Sequence, residues 1–295
     1  MKWGIQFANM GPFSDPDMAI LLAQTAEEAG FESLSGCEHI FVPKEYSSEY
    51  PFSHDGKLPD TDFNSADTIM PDPLVWMAFV GAVTKRINFT TGIVILPLRN
   101  PMLIAKELVT LDQLTKGRVS IGIGVGWLKE EFDGMGVPWE RRGKRCEEYI
   151  EAMRVLWREE VASYHGEFVN FDNAVMVPKP CTPAGVPIVI GGHGEVAAKR
   201  AGRMGDGFFP AIFPNSELWN RLPGLIQTMR NSAVEAGRNP DEIEITSGGT
   251  RRADDVSRYE DLGVSRLVIR ARGRTVEDLR DELLRFGDEV IAKTG

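Results

Sequence analysis

Short runs of β-branched and apolar residues alternate along this chain with amphipathic stretches of helical period. The clearest unit runs from Ile87 to Trp127. INFTTGIVILPL reads as a strand, RNPMLIAKELVTLDQLTKG as a helix and RVSIGIGVGW as a second strand. Two strands joined by a helix make a parallel crossover. In the second strand Gly122, Gly124 and Gly126 alternate with Ile121, Ile123 and Val125, so the three glycines share one face. The assignment of Val125 to the ligand side turns those glycines outward, where helices pack close.

The same rhythm covers most of the chain. Strands are predicted at Lys2–Ala8, Phe31–Ser35, Ile87–Leu96, Arg118–Val125, Pro187–Ile190, Asp206–Ala211, Glu242–Thr246 and Arg266–Arg270. Helices are predicted at Met18–Ala29, Pro73–Thr84, Met102–Thr115, Arg141–Glu159, Glu195–Met204, Glu217–Ala236, Asp254–Leu262 and Val276–Ile291. Asp15 or Asp17 caps the first helix, Gly30 ends it and Thr275 caps the last. Two stretches break the rhythm. Residues 41–71 are rich in Pro, Ser, Asp and Tyr without periodicity, which suggests a functional loop or lid. Residues 161–186 look like an inserted hairpin with Asp172-Asn173 at its turn. Eight strand–helix repeats in 295 residues predict an α/β fold, a single (β/α)8 TIM barrel with insertions after strand two and before strand five. Such a barrel carries its chemistry at the C-terminal ends of the strands.

Composition changes this picture little. Apolar residues make up 42% and charged residues 26%, as in ordinary globular proteins. A net charge of -10 argues against a nucleic-acid partner, and any anionic ligand must be held by local donors. No apolar run approaches the length of a membrane span, and the N-terminus lacks the core of a signal peptide. Cys37, Cys146 and Cys181 form neither a metal pair nor a disulfide framework, as expected for reduced thiols of a cytoplasmic protein.

The strand ends lack several chemistries. Strand one reads Gly4-Ile5-Gln6-Phe7, without the His pair of a barrel metallohydrolase, and the four histidines are scattered, so no metal site is expected. No lysine ends a strand for Schiff-base chemistry, and no Gly-x-Ser-x-Gly elbow appears. Strands four and seven end in Trp127 and Ser247-Gly248 rather than in the paired carboxylates of a glycosidase. A bound cofactor is therefore expected to do the chemistry. Gly191-Gly192-His193-Gly194 precedes a helix and suits either a tight turn or a phosphate cradle of bare backbone N–H groups. His39, after strand two with Glu38, is either a satisfied structural histidine or a proton donor at a cofactor or substrate. Trp127 reads as a packing or lid residue. Arg141, Arg142 and Arg145 read as a solvated helix start or as a phosphate contact.

Taken together, Glu38-His39-Ile40, TTGIVILPLRNP, GRVSIGIGVGW, GVPWERRGKRCEE and IVIGGHG resemble the luciferase-like monooxygenase superfamily, specifically its branch of coenzyme F420-dependent oxidoreductases. The resemblance implies a barrel that binds a flavin or deazaflavin at its strand ends. It implies a non-prolyl cis peptide behind the ring, at Ile93–Val94 or at Gly92–Ile93. It further implies His39 near the ring or substrate, Leu96 and Asn100 flanking the ring, and Val125 and Gly126 on the opposite strand. Gly191, Gly192 and Gly194, with His193 among them, would take the phosphate. The implied activity is hydride transfer between F420 and a small organic substrate, in a homodimer. The alternatives are an FMN-dependent monooxygenase using dioxygen and a flavin-binding protein without turnover. The sugar-phosphate dehydrogenases of this superfamily carry a Trp shortly after the strand-two His and a Glu after strand four. Here Phe41 to Lys44 and Trp127 to Glu130 offer no clear match, so that substrate does not transfer.

Overall fold

Asx-Pro pairs start three of the helices. Asp15, Asp72 and Asn100 each accept two backbone N–H groups of the following turn, and the next residue is proline. The acceptor satisfies orphan donors, and proline at the first helical position forfeits an N–H that has no partner there anyway. The helices so started are α1 (Pro16–Glu28), α2 (Pro73–Gly81) and α3 (Pro101–Thr115). This computed structural model describes residues 1–50, 56, 68–213 and 218–295. The predicted helix start at Glu217 and much of the 41–71 loop lie outside the described residues.

The strands are β1 (Lys2–Gln6), β2 (Ser33–Gly36), β3 (Asn88–Thr91), β4 (Val94–Ile95), β5 (Ile121–Gly124), β6 (Ala162–His165), β7 (Asn170–Ala174), β8 (Ile188–Gly191), β9 (Gly207–Phe209), β10 (Glu244–Gly248) and β11 (Arg266–Arg270). Nine of them form one parallel sheet in the order β3-β2-β1-β11-β10-β9-β8-β5-β4. Its two ends are halves of one interrupted strand. Phe89 N donates to Arg118 O at 2.7 Å and Ser120 N to Phe89 O at 2.9 Å, which closes the sheet. The fold is thus the expected (β/α)8 barrel. The uninterrupted strand predicted for Ile87–Leu96 is not found, because a cis Gly92–Ile93 peptide divides it. The second of the two expected positions for the cis bond is therefore the one observed.

The later helices are α4 (Lys129–Gly134), α5 (Arg142–Arg158), α6 (Glu195–Met204), α7 (Leu222–Glu235), α8 (Ser257–Glu260) and α9 (Val276–Phe286). Three departures from the sequence reading matter. Helix α4 was not foreseen, since six residues are too few to show a period. The hairpin β6–β7 turns at Gly166–Val169, not at Asp172-Asn173, which lie inside β7. The Glu148 carboxylate of α5 accepts the N–H groups of Glu167, Phe168 and Val169 and so fixes that turn from outside it. The last predicted helix ends its α-helical part at Phe286 and finishes as a π-turn over Gly287–Ile291.

Trp3, Ile5, Leu34, Phe89, Ile121, Ile123 and Phe208 are essentially unexposed and join the helices in one core. At the N-terminal ends of the strands Arg266 binds Glu32 at 2.9 Å and also Glu244, an ion-pair cluster at the end of the barrel opposite the C-terminal strand ends. No described helix is long and apolar enough to cross a membrane. No disulfide joins the three cysteines.

Candidate functional site

The glycines of β5 and β8 make room for the interrupted strand. A Cβ on Gly122 would lie 1.8 Å from Thr91 O, and one on Gly124 would lie 2.7 Å from the Ile93 side chain. A Cβ on Gly191 would stand 2.4 Å from the same Ile93 side chain. Thr91 Oγ1 donates to Gly122 O at 2.5 Å and accepts from Gly122 N at 2.9 Å. These contacts let the Thr91–Ile93 backbone lie against β5, with the Ile93 side chain over Gly124 and Gly191. Gly92 faces Ser35 of β2 and Phe209 of β9. The reading that Gly122 and Gly124 face outward toward helices is thereby corrected: their open faces meet Thr91 and Ile93. Only Gly126 of the three meets a helix, at Phe132 of α4, and its φ of +77° favours glycine. Val125 is partly buried and packs against the main core.

His39 follows β2 and is held by the helix that sequence reading missed. Its Nδ1 lies 3.0 Å from Glu131 Oε2 of α4, and Glu131 Oε1 accepts the Ile40 N–H at 2.5 Å. Glu131 is wholly buried. A carboxylate acceptor makes Nδ1 the donor, so in a neutral imidazole Nε2 is the nitrogen left to accept a proton. Glu131 stands one residue beyond the Trp127–Glu130 neighbourhood, and only the turn of α4 brings it back to β2. Trp127 meets His39, Tyr46 and Tyr50 edge-on, with centroids 5.9, 5.6 and 5.0 Å away. Aromatic edges on one indole build a wall over the barrel mouth. Burial pushes the Tyr50 phenol up to about 12, against the pull of Arg270, so it stays a neutral donor at pH 7.

The described part of the loop is tied down at the same place. Ser47 N and Oγ and Ser48 N and Oγ all donate to the Glu130 carboxylate, at 2.7, 2.9, 3.2 and 2.7 Å. Burial works against the Glu130 charge, but these donors outweigh it and hold its pKa at about 2, below the ordinary 4.5. A depressed carboxyl pKa stabilises the docked loop fully above the free value and loses that contribution as pH falls through the bound value. Amide-exchange protection of Ser47 and Ser48, corrected for intrinsic rates, is therefore expected to decline between pH 4.5 and about 2. Glu130→Gln should show the loosened loop already at pH 7. Protection that is independent of both pH and Glu130 would refute this anchoring.

Glu38 braces the wall from behind. Its buried carboxylate accepts Ile95 N at 2.7 Å and Arg99 Nε at 2.7 Å, and Arg99 also reaches Asp72. Burial opposes the Arg99 charge, but Glu38 and Asp72 outweigh it and raise its pKa above the usual range. The sequence placed Glu38 and Arg99 at strand ends without pairing them, because 61 residues separate the two.

After β8, Gly192 has φ +124° and donates its N–H to Phe209 O at 3.1 Å. Gly194 is the N-cap of α6 and has no side-chain acceptor, and nothing lies within 4 Å of where its Cβ would stand. The first N–H groups of α6 thus have no side-chain cap, an arrangement that can accept an anion. His193 is buried within this turn. Among the other predicted residues, Val94 and Leu96 are fully buried in the core, and the Asn100 side chain is spent as the cap of α3. Arg142 lies 3.6 Å over the Trp139 ring and Arg145 donates to Pro138 O, which braces the segment between α4 and α5, while Arg141 pairs with Glu167 of the β6–β7 turn. Among the described residues no cluster of His, Cys, Asp or Glu could hold a metal ion.

The structure thus brings Gly92, Ile93 and Gly191 together and joins His39 to an unforeseen Glu131. Among relatives, an uncharacterized protein of Mycobacterium tuberculosis is 34% identical over 298 residues, covering 98% of this chain and all of that one. An F420-dependent glucose-6-phosphate dehydrogenase of Nakamurella multipartita is 30% identical over 238 residues, covering 79% of this chain and 62% of that one. Among solved structures, the monooxygenase RslO1 of Streptomyces bottropensis superposes with a TM-score of 0.77 at 19% identity, each chain covered fully. The luciferase-like monooxygenase model matches residues 6–257. Barrel, glycine-lined wall and matched residues agree, and the chain belongs to the luciferase-like monooxygenase family of oxidoreductase enzymes.

Proposed function

We propose that this enzyme transfers a hydride between coenzyme F420 and a small organic substrate. The observation that carries the proposal is the placement of Ile93 over Gly124 and Gly191, with the uncapped N-terminus of α6 following β8. The wall would support a flat ring from behind, and the backbone of Gly191, Gly192 and Gly194 would hold its phosphate. The relative named as an F420-dependent dehydrogenase supports the cofactor choice. When bound, a deazaflavin supplies or accepts the hydride at its ring carbon. His39 would hold or receive the accompanying proton at Nε2, oriented by Glu131. Tyr50 and Trp127 would exclude water from the mouth. Residues 41–50 would form part of a lid over it.

The sugar-phosphate substrate of that relative is not carried over, because Phe41–Lys44 offer no tryptophan after His39. We further read the enzyme as a cytoplasmic homodimer. Val75 and Phe79 of α2 and Leu103 of α3 are exposed apolar residues suited to a subunit seam.

Parallel titration with F420 and FMN, followed by ligand fluorescence, tests the cofactor. Saturable F420 binding is expected. Tight FMN binding with no F420 binding would favour the monooxygenase reading instead, and dioxygen consumption by the reduced complex would confirm that outcome.

A further inference from the structure

The last residue of β1 turns a buried amide into the barrel. Trp3 packs edge-on against Phe286 of α9, with ring centroids 5.1 Å apart, so the odd positions of β1 face the helices. The strand's period of two then turns Gly4 and Gln6 to the barrel interior. Below Gln6 that interior is filled: a Cβ on Gly4 would lie 2.7 Å from Ser33 Oγ and 3.2 Å from the Val268 side chain. Gln6 stands in register with Ser35 of β2 and Arg270 of β11. A Cβ on Gly92 would lie 2.8 Å from Ser35 Oγ, so this row of residues reaches the interrupted strand. Gln6 is 5% exposed, and its Oε1 is enclosed without a hydrogen-bond partner among the described residues. A buried acceptor left unpaired costs free energy and calls for an explanation. The next residue, Phe7, has φ +61°, a left-handed backbone that a bulky side chain rarely adopts. Ala8 N then donates to Ser35 O at 3.0 Å, which fixes the sharp turn where Gln6 ends the strand. An unpaired acceptor beside a strained residue, at the C-terminal end of a barrel strand, points to a ligand contact.

We infer that Gln6 is a specificity-determining residue whose Oε1 accepts a hydrogen bond from a neutral donor group of the substrate, a hydroxyl or an amide N–H. This rests on the reading of the barrel mouth as a hydride-transfer site. With β3 and β4 counted as one strand, β1 stands four strands from β8 in either direction round the barrel. Gln6 therefore faces the Ile93–Gly191 wall from the opposite side. A ring resting on that wall would leave Gln6 to the substrate. Oε1 can only accept, so neither a ketone nor a fully ionised carboxylate or phosphate satisfies it. A substrate without a donor would leave Oε1 buried and unpaired in the complex, which is how a hydrogen-bonding site rejects an analogue.

The test compares the full chain with Gln6→Met, which keeps the side-chain length and removes the acceptor, and with Gln6→Leu as a second apolar variant. Two matched pairs of probes differ only in an amino group against a methyl: benzamide with acetophenone, and cyclohexanecarboxamide with cyclohexyl methyl ketone. They are titrated by ligand-observed NMR into protein loaded with oxidised F420 and into protein without cofactor. The parent should bind the amide of at least one pair about fivefold or more tighter than its ketone, and both variants should lose that preference. Without ligand, at least one variant should melt at or above the parent, because a buried unpaired acceptor has been removed. Lower melting of both variants would make Gln6 structural and overturn the inference. Absent probe binding, no preference for the amide, or a preference that the variants keep would overturn it as well. F420 affinity should stay within about twofold of the parent in both variants, and a larger loss would assign the amide to the cofactor instead. If F420 does not bind the parent, the cofactor proposal falls, while the melting comparison and the titrations without cofactor, repeated with FMN, still decide Gln6.

Discussion

His39→Asn is expected to lower kcat by about 10²–10⁴-fold while leaving the fold and cofactor binding in place, the range typical for loss of a positioned general acid or base. The expectation comes from geometry. Nδ1 is committed to Glu131 at 3.0 Å, and Nε2 is the remaining proton-exchanging atom. Asparagine can still donate toward Glu131 but offers no titrating nitrogen. Glu131→Gln should produce a smaller loss, appearing in kcat more than in KM, because glutamine cannot accept from both His39 and Ile40 as the carboxylate does. Steady-state kinetics on an F420-linked substrate would measure both. A His39→Asn enzyme within about twofold of the parent kcat would assign His39 to structure, as one reading of the sequence already allowed.

The largest expected effect on stability is at Glu38. Removing one partner of a buried, hydrogen-bonded ion pair costs about 3–5 kcal/mol, since the other charge is left uncompensated. Glu38→Ala strips Arg99 of its buried partner and leaves Ile95 N without an acceptor. The denaturant midpoint should fall accordingly with an unchanged slope. The Glu38→Leu/Arg99→Met pair should cost less than Glu38→Ala, because no buried charge is left alone. Cofactor affinity should weaken in Glu38→Ala as well, since Ile95 is two residues from Ile93. A loss of less than about 1 kcal/mol would show that Asp72 and Glu107, the other acids around Arg99, already suffice for it.

Much of the barrel is legible without coordinates. Asp15 caps the first helix as read, and the same Asx-Pro chemistry at Asp72-Pro73 and Asn100-Pro101 is a local signal that was available but not used. The alternation of apolar runs and amphipathic stretches follows from backbone periods that each segment expresses by itself. Failures fall where a distant group decides. Asp172-Asn173 has turn chemistry, yet the turn forms at Gly166–Val169 because Glu148 of α5 supplies its acceptor. Leu96 is enclosed by the core, which its place at a strand end does not reveal.

The candidate site divides along the same line. The sequence by itself determined the barrel, the strand ends and the residue types available there: glycines on β5 and β8 and a histidine after β2. Those follow from short-range pattern and from the family signature. Only the tertiary structure decided what the glycines face and that Glu131 holds His39 across 92 residues. The reason is physical. Strand period fixes which residues share a face, but closure of the barrel decides which face meets Ile93, and contacts across so many residues leave no local mark in the chain.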